Sequence, residues 1–409
     1  MMKKSKKGVR YGTMFFLVVA TFILASIATY FYVSNMIANL GRNQQFYSKL
    51  NKVNDLINKN YILDIDPVSG NEKILDGIVE GYIDGLDDPY AYYLNETNYR
   101  LSSNAAAGTA VGIGIRTAFD KQSGGILVDY VKRNSPSEEV GVETGDVITA
   151  VNGDAVTELG FRNAVSLLSG VEGTDVVLTL QRRGETAPVT LSVTRKTFDP
   201  KTVTYRLLES GDGIGYISIN EFAISTVSEF SAAVESLRDL GARAFILDVR
   251  FNAGGDFISM TQVLDKIMPA GIMCSVRDLS SEVATPYDSK DDHLTEKIVV
   301  LQNFATSDVA EVFVAALRDT QVASLVGDKT FGKGVAQRDI PLSDGTAIHI
   351  STQEYITPNG EVFHGVGIVP DVSVALSEEK ILGFDTITAE EDDQMQAALV
   401  RLRSLLGTS

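Results

Sequence analysis

Between Asn303 and Gln337 the chain reads N-F-A-T-S-D-V-A-E-V, then an Ala-rich run, then V-G-D-K-T-F-G-K-G-V-A-Q. Groups able to do acyl chemistry are concentrated here. Ser307 carries a hydroxyl, Asp308 a carboxylate and Lys333 an amine, and the last two are 333 − 308 = 25 residues apart. A hydroxyl attacks a peptide carbonyl when a neutral amine takes its proton. Desolvation is what makes a lysine neutral near pH 7. A carboxylate in the hydroxyl's place is a poor nucleophile toward an amide, because its acyl product would be an anhydride. It also stabilises the protonated lysine. Within a few ångströms, Asp308 and Lys333 would form a buried or half-buried ion pair, of little net stability but costly to break. Both neighbours also have plain structural roles, Ser307 as a helix N-cap and Asp308 as an acidic group at a helix N-terminus. If Val309 to Leu317 is helical, a shift of one residue turns a side chain by about 100°, so Ser307 would point away from the direction taken by Asp308.

A second segment, Asp248-Val249-Arg250-Phe251-Asn252-Ala253-Gly254-Gly255, ends a buried apolar run. Gly254 and Gly255 can present backbone N–H groups to a developing oxyanion. The same pair also makes an ordinary tight turn from strand to helix. Gly327 to Lys333 matches the first seven positions of a P-loop, but Gly334 stands where a Ser or Thr would hold Mg²⁺. No nucleotide site is expected. His293, His349 and His364 lack metal-ligand spacing and read as ordinary surface or loop residues. The single cysteine, Cys274, excludes an intrachain disulfide and a Cys-rich metal site. Neither metal nor cofactor is expected.

The elements that must position these groups are of three kinds. From about Thr197 onward, strands and helices alternate, which argues for an α/β layer with parallel strands. Strands are expected at 214–219, 244–249, 297–301, 323–326 and 347–351, with an amphipathic helix at 226–240. Before this, from Val111, the texture is β: V-G-I-G-I, G-I-L-V, then S-P and G-V-E-T-G-D-V-I with V-N-G, a short helix at 161–168, and strands at 175–180 and 189–193. Glycines in Gly112-Ile113-Gly114-Ile115 let successive N–H groups face one way and accept a peptide carboxylate, while the next strand edge pairs with the peptide backbone. A plain hairpin glycine pair is the alternative. Residues 36 to 104 read as helical, with a small, polar linker at 102–109. Asp87-Asp88-Pro89-Tyr90 reads as a solvated turn.

The N-terminus carries Lys3, Lys4, Lys6, Lys7 and Arg10, then an uncharged, mostly apolar run to about Val33. A helix of ~20 residues crosses a bilayer, and flanking basic residues stay in the cytoplasm. We expect a cytoplasmic tail at 1–12, an anchor at 13–35 and an extracytoplasmic bulk. A cleaved signal peptide ending near Ser26-Ile27-Ala28 is the competing reading. The formal charge of −17 argues against nucleic-acid binding.

Taken in order, these motifs resemble the carboxyl-terminal processing, or tail-specific, serine protease family. D-V-R-F-N-A-G-G is similar to its D-L-R-x-N-P-G-G, with Ala253 where Pro is usual. N-F-A-T-S-D-V-A-E and T-F-G-K-G-x-x-Q are similar to its catalytic segments. Thr357-Pro358-Asn359-Gly360 and Gly365 to Asp371 resemble its T-P-x-G and G-x-G-I-x-P-D elements. The β region resembles a PDZ domain of bacterial arrangement. The resemblance implies a multi-domain α/β architecture: a transmembrane helix, a helical segment at 36–104, a PDZ domain at 105–196 and a ClpP/crotonase-like protease core at 197–409. It places Asp308 at the nucleophile position, substituted; Lys333 as general base with Gln337 as its partner; and Gly254, Gly255 and Val309 as oxyanion donors. It implies peptide binding at Gly112, Ile113, Gly114 and Ile115. The expected function is a cleavage-impaired homologue that binds peptide C-termini as a scaffold or regulator, with an active homologue or a second copy as partner. The alternative is a working endopeptidase using Ser307 with Lys333.

Overall fold

The protein is described here by a computed structural model covering residues 11–407 except 64, 67–68, 107–110, 121, 183, 199–200, 210, 281–283, 291–292, 383 and 385–386. The basic tail at 1–10 and part of the expected linker lie outside the described residues. The chain forms two compact units, Met1–Leu75 and Asp76–Ser409.

The first unit holds the long helix Tyr11–Asn60. Its side chains from Met14 to Tyr30 are mostly apolar and almost all exposed. Among the described residues no helix is long and apolar enough to cross a membrane. The span expected at 13–35 reaches past the described side chains at both ends.

In the second unit, two six-stranded sheets and a five-stranded one are formed among the described residues. The central sheet runs Val372–Ser373, Ala323–Gly327, Lys297–Gln302, Ala244–Asp248, Ile214–Ile219 and Val203–Leu207. Its strands are parallel except Val203–Leu207. Both faces are covered, as a parallel sheet requires. Alternation within one strand makes this explicit. Ala244 and Ile246 pack with Met395, Ala398, Leu399 and Leu402 of the helix Asp393–Leu406. Phe245 and Leu247 pack with Phe230 and Val234 of the helix Ile224–Asp239 and Phe313 of the helix Val309–Asp319. Arg250, just past the strand end, donates to Asp248 at 2.6 Å and to Asp392 at 2.8 Å. It thereby fastens the start of the C-terminal helix to the sheet.

A five-stranded antiparallel sheet was not expected from the sequence in this form. Tyr92–Leu94, Gly271–Asp278 and Val335–Pro341 all pair with Ala347–Ile356, and Thr285–Ser289 pairs with Gly271–Asp278. Tyr92–Leu94 interrupts the region read as wholly helical, and the helix Glu96–Ala106 extends into the expected linker. The region read as PDZ-like forms an antiparallel sheet of Ile115–Phe119, Ile126–Val131, Val147–Val151, Asp175–Gln181 and Val189–Thr194, with the two-residue strand Asp154–Ala155. Its core is built on Ile126, Val128, Ile148, Val176, Leu178, Leu180 and Val193, all fully buried.

Candidate functional site

The helix Val309–Asp319 is buried on all sides from Val309 to Leu317, which suits its place between the sheet and neighbouring helices. Asp308 precedes it with φ 59° and ψ −131°, a conformation costly for a residue with a side chain. What holds it there is Glu311, a fully buried carboxylate one turn into the helix. Glu311 accepts from the Asp308 N–H at 3.1 Å, the Thr330 hydroxyl at 2.5 Å, and the Gly332 and Lys333 N–H groups at 2.7 Å each. Burial pushes its carboxyl up despite these four donors. One side chain thus stitches the helix start to the T-F-G-K loop that follows the strand Ala323–Gly327.

The consequence is a direct meeting of the two charged side chains. Lys333 Nζ donates to Asp308 Oδ2 at 2.5 Å, and the side chains are only 21% and 19% exposed. Burial pushes the Asp308 carboxyl up, while the Lys333 ammonium and the Val309 N–H pull it back in part. The Tyr90 ring centroid lies 5.2 Å from Nζ. Ser307 has its backbone engaged: its N–H donates to Asn252 O at 3.0 Å and its carbonyl accepts from the Ala310 N–H. Among the described residues, the hydrogen-bond partner of Lys333 Nζ is Asp308 rather than Ser307. Gln337 Nε2 donates to Val335 O at 3.2 Å and Ser351 Oγ at 3.1 Å, so it stands near the lysine without bonding it.

The glycine turn closes the other side. Phe251, with φ 60°, precedes Asn252. Asn252 Oδ1 accepts from the Gly254 N–H at 2.8 Å. A Cβ on Gly254 would lie 2.8 Å from the Asp308 Cβ, so only glycine allows this approach. The expected trio of oxyanion donors is therefore differently employed. The Gly254 N–H is committed to Asn252, the Val309 N–H faces the Asp308 carboxylate, and the Gly255 N–H has no backbone acceptor among the described residues.

Arg116 of the PDZ-like sheet reaches this turn, and Lys132, just past a strand of that sheet, reaches the segment beside it. Arg116, paired with Asp129, donates to Phe251 O, and Lys132 pairs with Glu221 at 2.6 Å. In the expected peptide loop, the carbonyls of Ile113 and Gly114 accept from Ser137 and Lys132. This leaves the N–H groups of Gly112, Ile113 and Gly114 without a backbone acceptor among the described residues.

Lys333 and Gln337 line a cavity of about 970 Å³ together with Tyr90, Tyr92, His349, Phe119 and Phe161. These five were not anticipated as site residues. Tyr90 belongs to the segment read as a solvated turn. Tyr92 stacks on His349 at 4.4 Å, and His349 Nδ1 meets Asp339 Oδ1 at 2.5 Å. His349 is thus a paired residue of the cavity wall, not an ordinary loop histidine. The strand at 347–351 was expected, but its pairing with Tyr92–Leu94, which sets Tyr92 against His349, was not legible.

Replacing Glu311 tests the stitch. Glu311→Ala leaves three buried or part-buried N–H groups and a buried hydroxyl without their acceptor, a cost of about 1–3 kcal/mol for each group left unsatisfied. Glu311→Gln, whose amide oxygen can accept two of the four bonds, is expected to lose less. Urea midpoints should fall in the order wild type, Gln, Ala; an Ala variant as stable as wild type would show that the four contacts do not hold the site.

The chain matches three family descriptions in sequence order: the N-terminal domain of the activating protease CtpB at residues 28–98, a PDZ domain at 111–193 and peptidase family S41 at 213–374. It is 31% identical to the carboxy-terminal processing protease CtpA of Bacillus subtilis (strain 168) over 89% of this chain and 78% of that protein. It is 30% identical to a CtpA-like serine protease of Staphylococcus aureus (strain COL) over 88% of this chain and 71% of that protein. The solved photosystem II D1 C-terminal processing protease superposes with a TM-score of 0.59 at 26% identity, over 79% of this chain and 86% of the other. Three segments matched in order, and a fold that brings their motifs to one place, make the chain a member of the S41 carboxy-terminal processing protease family with a PDZ domain.

Proposed function

We propose that this family member is impaired in cleavage because Asp308 stands at the nucleophile position, and that it serves as a scaffold or regulator that binds peptide C-termini. The observation that carries the reading is the Lys333–Asp308 contact of 2.5 Å. The amine that would take a serine proton is instead paired with a carboxylate that cannot usefully attack an amide. The decisive assay is hydrolysis of an unfolded protein by wild type, Asp308→Ser, Ser307→Ala and Lys333→Ala. Wild type is expected to leave the substrate intact and Asp308→Ser to gain cleavage. Wild-type cleavage that vanishes in Ser307→Ala and Lys333→Ala would establish Ser307 as the nucleophile and sink this reading.

The Gly112–Ile115 loop is the proposed carboxylate-binding element, supported by the N–H groups of Gly112, Ile113 and Gly114, which have no backbone acceptor among the described residues. Peptides with a free, apolar C-terminus should bind the full chain, and their amides at least ten-fold more weakly. Equal affinity for acid and amide excludes capture of the carboxylate.

The five basic residues ahead of the apolar run support an anchor at 13–35, with the rest of the chain outside the cytoplasm. An active homologue or a second copy is the proposed partner. Protease added to spheroplasts should digest epitopes placed beyond residue 45; protected epitopes would reverse the topology.

A further inference from the structure

The inference rests on the reading that Asp308 occupies the position of a hydroxyl and faces Lys333. Nζ lies 2.5 Å from Oδ2. The carboxyl carbon is then in or near the ~3–3.5 Å range of a near-attack arrangement. Both side chains are about four-fifths buried. The Val309 N–H helps to pull the Asp308 carboxyl back down. Gly254 packs against the Asp308 Cβ and leaves no room for the pair to separate on that side. The Lys333 amine thus lies against a carboxyl group of the chain itself. The chemical roles are inverted, with the lysine as nucleophile and the aspartyl carbon as electrophile.

We infer that Lys333 and Asp308 condense into an intramolecular isopeptide bond that joins the T-F-G-K loop to the start of the buried helix. The balance needs nothing from outside. A proton passes from Nζ to Oδ2 along their contact, leaving a neutral amine and a neutral acid. The Nζ lone pair attacks Cγ, and negative charge develops on the second oxygen. A further proton leaves Nζ for the hydroxyl, the C–O bond breaks, and one water departs. One amide and one water replace one amine and one acid, with no change of oxidation state.

Two physical terms favour this outcome. Fixing the partners in contact supplies an effective molarity that reaches ~10⁵–10⁸ M in well-oriented intramolecular reactions. Exchanging two half-buried ions for one neutral amide also removes the desolvation penalty both ions carry. Burial pushes the Asp308 carboxyl toward the neutral acid that the attack consumes.

The test is the mass of the full chain, purified in detergent, held folded for several days at neutral pH and then denatured. Wild type is expected to be lighter than its sequence by one water. Trypsin should release a branched peptide containing both Asp308 and Lys333. Lys333→Arg and Asp308→Ala should each show their full sequence mass. Wild type at full mass, with Lys333 acetylated by reagent after denaturation, overturns the bond. If that full-mass protein also leaves an unfolded substrate uncut, the impaired-protease reading survives alone. Cleavage that depends on Ser307 and Lys333 overturns both.

Discussion

The site depends on one buried carboxylate. Glu311 has no exposed surface, and its two oxygens take four hydrogen bonds from three positions in one loop and one position at the helix start. An unpaired carboxylate at that depth would be prohibitively costly, and four donors are what make it tolerable. The same bonds satisfy the Asp308, Gly332 and Lys333 N–H groups, which would otherwise be orphaned at a helix start and in a tight loop. The registration of Asp308 against Lys333 is therefore a by-product of polar satisfaction. It does not require the two side chains to attract each other. Their ion pair is permitted by the scaffold rather than responsible for it, which agrees with the small net worth of such pairs.

A second polar side chain does similar work on the glycine turn. Asn303 Oδ1 accepts from the Phe251 and Ala305 N–H groups, and Thr306 Oγ1 donates to Val249 O. Asn252 then holds Gly254 and, through its carbonyl, Ser307. The turn and the helix start are thus bonded to each other before any substrate is considered. Arg116 and Lys132 add two contacts from the PDZ-like sheet, to Phe251 O and to Glu221. Glu221 adjoins Phe222, whose N–H is bonded to Gly254 O. The region next to the expected peptide loop is therefore mechanically continuous with the turn beside Asp308.

Legibility in the sequence followed this division of labour. The parallel strands at 214–219, 244–248, 297–302 and 323–327 were readable because both faces are buried, so each appears as a mostly apolar run. Asn303, Glu311 and Lys333 were readable through the resemblance to the family's catalytic segments; Asn303 and Glu311 accept from backbone N–H groups, and Lys333 pairs with Asp308. The antiparallel sheet was harder. Val335–Pro341 reads V-A-Q-R-D-I-P, and no residue in it is fully buried. A half-exposed ribbon whose side chains are polar on both faces leaves no period to detect. Tyr90, Tyr92 and His349 were missed for that reason, since the pairing of Tyr92–Leu94 with Ala347–His349 is what brings the first two toward the third. The commitment of the Gly254 N–H to Asn252 could not be seen either. G-G after a strand looks the same whether its donors are free or used.

Strain distinguishes this site from an ordinary ion pair. Asp308 and Phe251 are both non-glycine residues with φ near +60°, and each such conformation costs on the order of 1–3 kcal/mol. Both belong to the segments that enclose the Lys333 amine and the glycine turn. A strained backbone persists only where its surroundings over-determine it. Here Glu311 holds Asp308 from the helix side, Gly254 presses on its Cβ, and Asn303 holds Phe251 by its N–H. The strain is thus carried by the scaffold and not by the side chain that occupies position 308. Exchange of the side chain at that position leaves the backbone presentation intact while changing what is presented. The carboxylate opposite Lys333 is thus set in place by the backbone groups around it.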